Sequence, residues 1–159
     1  MTRYWVWCIS NLIWRVLPLE VGYTCATWVA DIAYLAWPRG RMWARRNAAR
    51  LLGDNADEKT VDAMARQSLR NYCKYLVDFI RIPLTTAQEI KQRVLFSGWE
   101  RFDEALAGGK GAIFVGLHLG NWDIAAAAIA LNRYPLNVIV ETFRPARLDR
   151  MVQEARARM

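Results

Sequence analysis

Residues Lys110 to Asp123 read KGAIFVGLHLGNWD, and this stretch decides the fold expected for the chain. Residues 112–117 are continuously apolar between glycine-rich turns, which is typical of a short buried strand. A tight connection follows, and residues 121–131 have the pattern of a helix. The stretch therefore predicts a strand, a turn and a helix, with His118 at the carboxyl end of the strand.

The segments on either side repeat this alternation. Two further strands are predicted, over residues 93–97 and 136–140. Residue periodicity also predicts helices over residues 57–82, where Pro83 ends the pattern, 99–106 and 145–158. Because alternating strands and helices form parallel sheets, we expect an α/β fold. In it, a helical, membrane-associated N-terminal half precedes a β-α-β-α-β-α core.

The N-terminal half is rich in tryptophan and in apolar residues. Residues 21–37 carry a single charge, Asp31, over seventeen positions, which is the lower limit for a segment that crosses a bilayer. A basic cluster that suits an anionic leaflet follows: Arg39, Arg41, Arg45, Arg46 and Arg50. We expect two helices, broken near Pro18, that anchor the chain to a membrane surface. A buried aromatic helical core is the alternative.

We expect a single domain overall, with membrane-anchoring helices over residues 1–52 and a partial domain over residues 53–159. The last predicted helix reaches the end of the sequence after only three strands, which leaves an uncovered sheet edge. We therefore expect the domain to be incomplete at its C-terminal end.

The composition restricts the partners that the chain can have. With 159 residues, 54% of them hydrophobic, it has the length of one domain and is too apolar for intrinsic disorder. The net charge of +7 favours an anionic partner, and the concentration of tryptophan in the apolar N-terminal segment favours a membrane over a nucleic acid. Three widely spaced cysteines and one histidine predict neither a disulfide framework nor a metal site.

His118 and Asp123 are the candidate catalytic residues. Ligand sites of open α/β sheets lie at the carboxyl ends of the strands, where His118 is predicted. Asn121 is suited to cap the next helix, and Asp123 in its first turn can accept a hydrogen bond from the imidazole and orient it as a base. Gly120 leaves room for a ligand. The alternative is structural, a strand-end histidine and an ordinary first-turn acid.

The residues HLGNWD, from His118 to Asp123, resemble the His-x4-Asp motif of glycerolipid-type acyltransferases. In this form the motif is similar to that of the bacterial lipid A biosynthesis acyltransferase family, which includes lauroyl, myristoyl and phosphatidylinositol mannoside acyltransferases. The resemblance extends to the tryptophan-rich N-terminus and to short matches, Arg46-Asn47, Arg70-Asn71-Tyr72, Gly98-Trp99-Glu100, Gly109-Lys110-Gly111 and Arg144-Pro145 followed by Leu148. It covers essentially all 159 residues, but only about the first half of a typical family member.

The resemblance implies an enzyme that moves an acyl chain from an acyl-carrier-protein or acyl-CoA thioester, without a further cofactor, onto a hydroxyl of a membrane glycolipid. It implies His118 as the base and Asp123 as its orienting group, at the cytoplasmic face of the bacterial inner membrane. Arg156 matches a family arginine suited to an oxyanion, and Arg144 is suited to a phosphate. Gly120 and Asn121 complete the substrate-binding or oxyanion group. A solvated basic helix face is the alternative for both arginines.

Two other functions fit the same residues. Lysophospholipid and glycerol-phosphate acyltransferases share the His-x4-Asp spacing, and a non-catalytic fragment that binds a membrane surface would use the same arginines and aromatic residues.

Overall fold

The computed structural model of the chain describes residues 16–157 together with residues 5, 8, 9, 12 and 13. From residue 16 onward it has seven α-helices and a short 3-10 turn. The helices are α1 (Leu19–Ala36), α2 (Pro38–Leu52), α3 (Glu58–Arg81), α4 (Ala87–Arg93), α5 (Trp99–Leu106), α6 (Trp122–Leu131) and α7 (Ala146–Ala157), and the turn, Ile82–Leu84, follows α3.

Helix α3 is the longest of these, with 24 residues. The carboxylate of Asp57 caps its first turn, where it accepts a hydrogen bond from the backbone amide of Thr60 at 2.9 Å. At the other end, Pro83 lacks the amide hydrogen that a continuing helix would need. The helix predicted over residues 57–82 is therefore confirmed, and α5, α6 and α7 also begin and end within one residue of their predicted bounds.

Helix α1 packs along α3, from a hydrogen bond between Tyr34 and Asp62 to one between Tyr23 and Asp78, and α2 packs against the N-terminal half of α3. The core between them consists of Tyr34 from α1, Ala48 from α2, and Val61 and Ala65 from α3. Ala65 has no exposed surface. Side chains as small as alanine allow two helices to approach closely, because the distance between helix axes depends on the residues at the contact.

The single charge in residues 21–37 makes a contact between helices. Asp31 accepts hydrogen bonds from the Nε atoms of Arg66 and Arg70 at 2.8 and 2.7 Å, and from Nη2 of Arg70 at 2.7 Å. These guanidinium groups, with Arg70 contributing most, hold the pKa of Asp31 well below its usual range. The charge that interrupts the apolar sequence thus holds α1 on α3.

A second core surrounds the C-terminal half of α3. It contains residues from α3, the 3-10 turn, α4, α6 and α7, namely Phe79, Ile82, Ile90, Ile124, Ala127, Ala128 and Val152. Helix α3 therefore contributes to both cores, and its C-terminal half is the part that meets the first turn of α6.

The expected α/β fold is wrong, because the described part of the chain contains no β-strand. Residues 94–97, 112–117 and 136–140 have no regular secondary structure, and Arg93 is the last residue of α4. In the segment 112–117, Phe114 stacks on Phe102 of α5 with ring centroids 4.2 Å apart, whereas Ile113 is 94% exposed. An apolar run predicts burial, but a strand also needs a neighbouring backbone for its hydrogen bonds, and here no such ladder forms.

The membrane-associated N-terminal half expected as part of that fold also needs correction, because its described residues contain no bilayer-crossing helix. No helix in the described residues is both long enough and apolar enough to cross a membrane. Helix α1 ends at Ala36, and Pro38 begins α2, whose sequence contains four arginines after residue 40. Helix α1 begins directly after Pro18, as expected, and the helix predicted before Pro18 lies largely outside the described residues.

Replacing Asp31 with asparagine should make the stability of the fold depend less on pH in the acidic range. The pKa of Asp31 is lowered on folding, so its contribution to stability is present above about pH 4 and is lost as the pH falls through the folded value. We expect Asp31→Asn to lower the melting temperature near neutral pH, and the difference from the unmodified chain to shrink in acid. Thermal unfolding followed by circular dichroism from pH 7 downward measures this.

The control for this measurement is Asp54→Asn, which changes an exposed carboxylate in the loop between α2 and α3. Equal melting curves for Asp31→Asn and Asp54→Asn at pH 7 would show that the contact of Asp31 with Arg66 and Arg70 does not stabilise the fold.

Candidate active site

The candidate site lies at the first turn of α6. Asn121 caps this helix, since its side-chain oxygen accepts a hydrogen bond from the backbone amide of Ile124 at 3.0 Å. The preceding residue, Gly120, has a φ of 71°, a left-handed conformation that glycine adopts without strain. The prediction that Asn121 caps the helix and that Asp123 lies in its first turn is confirmed.

Asp123 is buried, and its side chain contacts two other helices. Its Oδ2 atom accepts a hydrogen bond from the hydroxyl of Tyr75 on α3 at 2.6 Å, and its Oδ1 atom accepts one from Nε of Arg156 on α7 at 3.1 Å. The residue as a whole is 5% exposed. A carboxylate this deeply buried needs such partners, because an unpaired buried charge is very costly.

Tyr75 remains a hydrogen-bond donor in this arrangement. Burial raises the pKa of its phenol, and the hydrogen bond to the neighbouring Asp123 raises it further. The phenol is therefore held in its protonated, hydrogen-bond-donating form.

Arg156 lies between Asp123 and an aromatic ring. Its guanidinium carbon is 5.5 Å from the ring centroid of Phe79, a cation–π geometry. Its Nη1 atom is buried and has no hydrogen-bond partner among the described residues. Because an unsatisfied buried donor is costly, the guanidinium is suited to a further acceptor, such as the oxygen of a ligand.

His118 lies in the exposed stretch of residues 111–120 that leads to α6. Its ring packs against Trp122, with centroids 4.5 Å apart. The hydrogen bonds of Asp123 run to Tyr75 and Arg156, and in the described residues none joins Asp123 to His118. The catalytic roles of the two residues stay a prediction.

Of the two arginines that the sequence pointed to, the structure brings one into this cluster. Arg156 pairs with Asp123, whereas Arg144 is exposed in the segment before α7. Arg147 and Arg150 on α7 are also exposed, which fits a solvated basic face for that part of the helix.

Two residues of the site were not predicted from the sequence, Tyr75 and Asp78, which lie one helical turn apart on α3. Asp78 accepts hydrogen bonds from the hydroxyl of Tyr23 at 2.7 Å, from Arg93 at 3.1 Å and from Asn121 at 3.4 Å. Burial, and secondly the hydrogen bond to Asp78, raises the pKa of Tyr23 to about 12. A sequence signal for both residues was available: Tyr75 and Asp78 are three positions apart beside the apolar stripe of α3, so they are neighbours on one face of the helix.

An open groove of about 470 Å³ lies near the C-terminal end of α6. Its wall combines apolar and polar side chains, and the lining residues are Lys91, Val94, Leu95, Phe96, Ser97, Trp99, Ala128 and Asn132. Within the described residues, no group of three or more His, Cys, Asp or Glu side chains could hold a metal ion.

Comparison with known proteins gives matches of two kinds. A phosphatidylinositol mannoside acyltransferase from Mycolicibacterium smegmatis is 29% identical over 127 residues, which are 80% of this chain and 41% of that protein. A phosphatidylinositol mannoside acyltransferase from Mycobacterium tuberculosis is 28% identical over 117 residues, 72% of this chain and 37% of that protein. The chain therefore spans about two-fifths of the length of these relatives. No solved structure matches it.

The second kind of match is to a protein family. All of the chain, residues 1–159, matches the family described as bacterial lipid A biosynthesis acyltransferase. The matched range includes every residue of the site, from Tyr75 on α3 to Arg156 on α7. The chain therefore belongs to the bacterial lipid A biosynthesis acyltransferase family.

Proposed function

We propose that the protein is an acyltransferase that moves a fatty acyl chain from an acyl-carrier-protein or acyl-CoA thioester onto a hydroxyl of a membrane glycolipid. The acceptor is of the lipid A precursor or phosphatidylinositol mannoside type, and no cofactor besides the thioester takes part. The observation that carries the proposal is the family match over residues 1–159, which contains the HLGNWD segment. The names of the mycobacterial relatives support a glycolipid acceptor.

The proposed reaction begins at His118. Its imidazole takes the proton of the acceptor hydroxyl while the hydroxyl oxygen forms a bond to the thioester carbonyl carbon. The tetrahedral intermediate then collapses, the carbon–sulfur bond breaks, and the imidazolium returns the proton to the departing sulfur. The products are an ester and a thiol, so that the histidine is regenerated.

Asp123 is the orienting group for His118 in this proposal. The two residues flank Trp122, whose ring packs against His118, and catalytic hydrogen bonds often tighten only in the complex with substrate. The exposure of His118 and the left-handed Gly120 support a loop that can accept a substrate hydroxyl beside the ring.

Arg156 is the proposed donor to the oxyanion. Its buried Nη1 atom has no partner among the described residues, which supports this role, because positive donors aimed at developing charge lower the barrier. Arg144, exposed ahead of α7, is proposed to bind a phosphate of the lipid or of the acyl donor. Gly120 and Asn121 shape the turn between these groups and the histidine.

We also propose that the protein works at the cytoplasmic face of the bacterial inner membrane, through a peripheral contact. Trp28, Ile32 and Leu35 lie at helical spacing on α1 and are 63%, 64% and 68% exposed. The exposed arginines of the adjoining helix α2 support contact with anionic headgroups, namely Arg39, Arg46 and Arg50.

Replacing His118 with alanine should abolish detectable acyl transfer. Loss of a positioned base typically costs about 10²–10⁴ in rate, and the exposed position of His118 means that folding should be unaffected. Asp123→Asn should also lose activity, and the two losses should not add, because an orienting group has no effect once the base is gone. Transfer of radiolabelled acyl groups from a thioester to extracted lipid measures both.

The control for this assay is Asp54→Asn, which alters an exposed carboxylate far along the sequence from the motif. A His118→Ala protein with a near-normal rate would end the proposal. Acylation of lysophospholipid or glycerol phosphate in place of glycolipid would support the alternative acceptor, and vesicle binding without any transfer would support a non-catalytic protein.

The two arginines should differ in which kinetic constant they affect. Arg156→Lys keeps a positive charge beside Asp123 but lacks the planar fork, so we expect a lower kcat with little change in KM. Arg144→Ala should mainly raise KM, because a phosphate contact helps binding in the ground state. Steady-state kinetics over a range of donor and acceptor concentrations separates the two; unchanged constants in both variants would indicate a solvated basic face.

The exposed face of α1 should determine binding to lipid vesicles. We expect the triple change Trp28→Ser, Ile32→Ser and Leu35→Ser to weaken binding to anionic vesicles roughly tenfold or more, because each of these side chains buries apolar area in the membrane. High salt alone should release the original protein incompletely, since apolar burial is not screened. Vesicle flotation measures both effects.

The matched control replaces three exposed apolar residues elsewhere with serine, namely Leu95, Val138 and Ile139. Equal loss of binding in the two triple variants, or complete release of the original protein by salt, would contradict a docking role for this face of α1.

A further inference from the structure

Tyr75 contacts the His-x4-Asp motif in two ways. Its hydroxyl donates a hydrogen bond to Asp123 at 2.6 Å, and its ring lies against Trp122 with centroids 4.2 Å apart. Trp122 in turn packs against His118, with centroids 4.5 Å apart. A single side chain from α3 is therefore connected to both ends of the motif.

The hydroxyl of Tyr75 restricts the orientation of the Asp123 carboxylate. The two carboxylate oxygens have different donors, Tyr75 on α3 and Arg156 on α7. The carboxylate plane cannot rotate without breaking one of these bonds. At a residue that is 5% exposed, solvent does not readily replace a broken hydrogen bond, so rotation is costly.

The ring of Tyr75 acts on His118 through Trp122. His118 is exposed, as are its neighbours in residues 111–120, so burial does not fix the orientation of its imidazole. The ring contact of His118 in the described residues is the one with Trp122. The orientation of His118 therefore depends on how firmly Trp122 is held, and Tyr75 packs against that ring.

Tyr75 is itself held by its neighbours on α3. Its ring lies 5.8 Å from that of Tyr72 and 6.1 Å from that of Phe79, measured between centroids. Phe79 also lies beneath the guanidinium of Arg156. These contacts give the hydroxyl and the ring of Tyr75 a fixed place in the second core.

We propose that Tyr75 is a positioning residue for the acyl-transfer reaction, whose hydroxyl orients Asp123 and whose ring, through Trp122, orients His118. This inference rests on the proposed function for its role in the reaction. The arrangement of the side chains can be tested separately from catalysis.

The single histidine of the chain allows a direct spectroscopic test. Its imidazole Cε1 proton gives one NMR signal, which the ring current of Trp122 displaces from the position in a free histidine. Tyr75→Leu should move the signal most of the way back towards that position, because Trp122 loses its packing partner. Tyr75→Phe should leave it in place, because the ring remains.

The matched control is Tyr34→Phe, which removes an equivalent hydrogen bond, from Tyr34 to Asp62 at 2.7 Å, in the other core. It should leave the His118 signal in place. If Tyr75→Leu has lost its helical circular dichroism, Tyr75→Met, whose longer and more flexible apolar side chain fills irregular gaps, takes its place. An undisplaced signal in the original chain, or an unchanged one in the folded leucine or methionine variant, overturns the role of the ring.

Acyl-transfer kinetics tests the hydroxyl. Tyr75→Phe should lower kcat about tenfold, as expected for the loss of a hydrogen bond to a charged group, with KM unchanged. Tyr34→Phe, with the same chemical change, should alter neither constant. Equal kcat values for the two variants overturn the role of the hydroxyl. If the original protein transfers no acyl group, the proposed function fails, while the NMR result still decides whether Tyr75 positions His118.

Discussion

The need to neutralise a buried carboxylate joins three helices of this chain at one point. Asp123 belongs to the first turn of α6, and the groups that stabilise its charge come from α3 and α7. Neither donor is close to it in sequence: Tyr75 lies 48 residues before it and Arg156 lies 33 residues after it. A helix end with a buried acid is therefore possible only where these two other helices are already correctly packed.

Helix α3 contributes to a different core in each of its halves. Its N-terminal half shares a core with α1 and α2, and its C-terminal half shares one with α6 and α7, while Asp31 of α1 pairs with Arg66 and Arg70 near the middle of α3. Asp78 connects these regions, because it accepts hydrogen bonds both from Tyr23 on α1 and from Asn121 at the cap of α6. Hydrogen bonds through Asp78 thus connect helix α1 to the cap of α6 at the candidate site.

Helices were predictable from the sequence because their signals are local. The cap at Asp57, the cap at Asn121 and the apolar periodicity of α3 fix helix bounds within a few residues of the signal itself. The strand predicted over residues 112–117 was wrong because an apolar run carries no information about a hydrogen-bonding partner. The motif pointed to Asp123, but its contact with Tyr75 was missed because no local pattern relates residues so far apart.

The exposed side chains of residues 112–119 affect how the chain behaves in solution. Ile113, Val115 and Leu117 all face water, and apolar surface of this kind attracts other copies of the chain. The net charge of +7 opposes this attraction, because like-charged copies repel one another. Charge repulsion is screened beyond about 8 Å at physiological ionic strength, whereas hydrophobic attraction is not screened. Colloidal stability of the chain therefore falls as salt is added, since dilute buffer keeps copies apart and concentrated salt lets them associate.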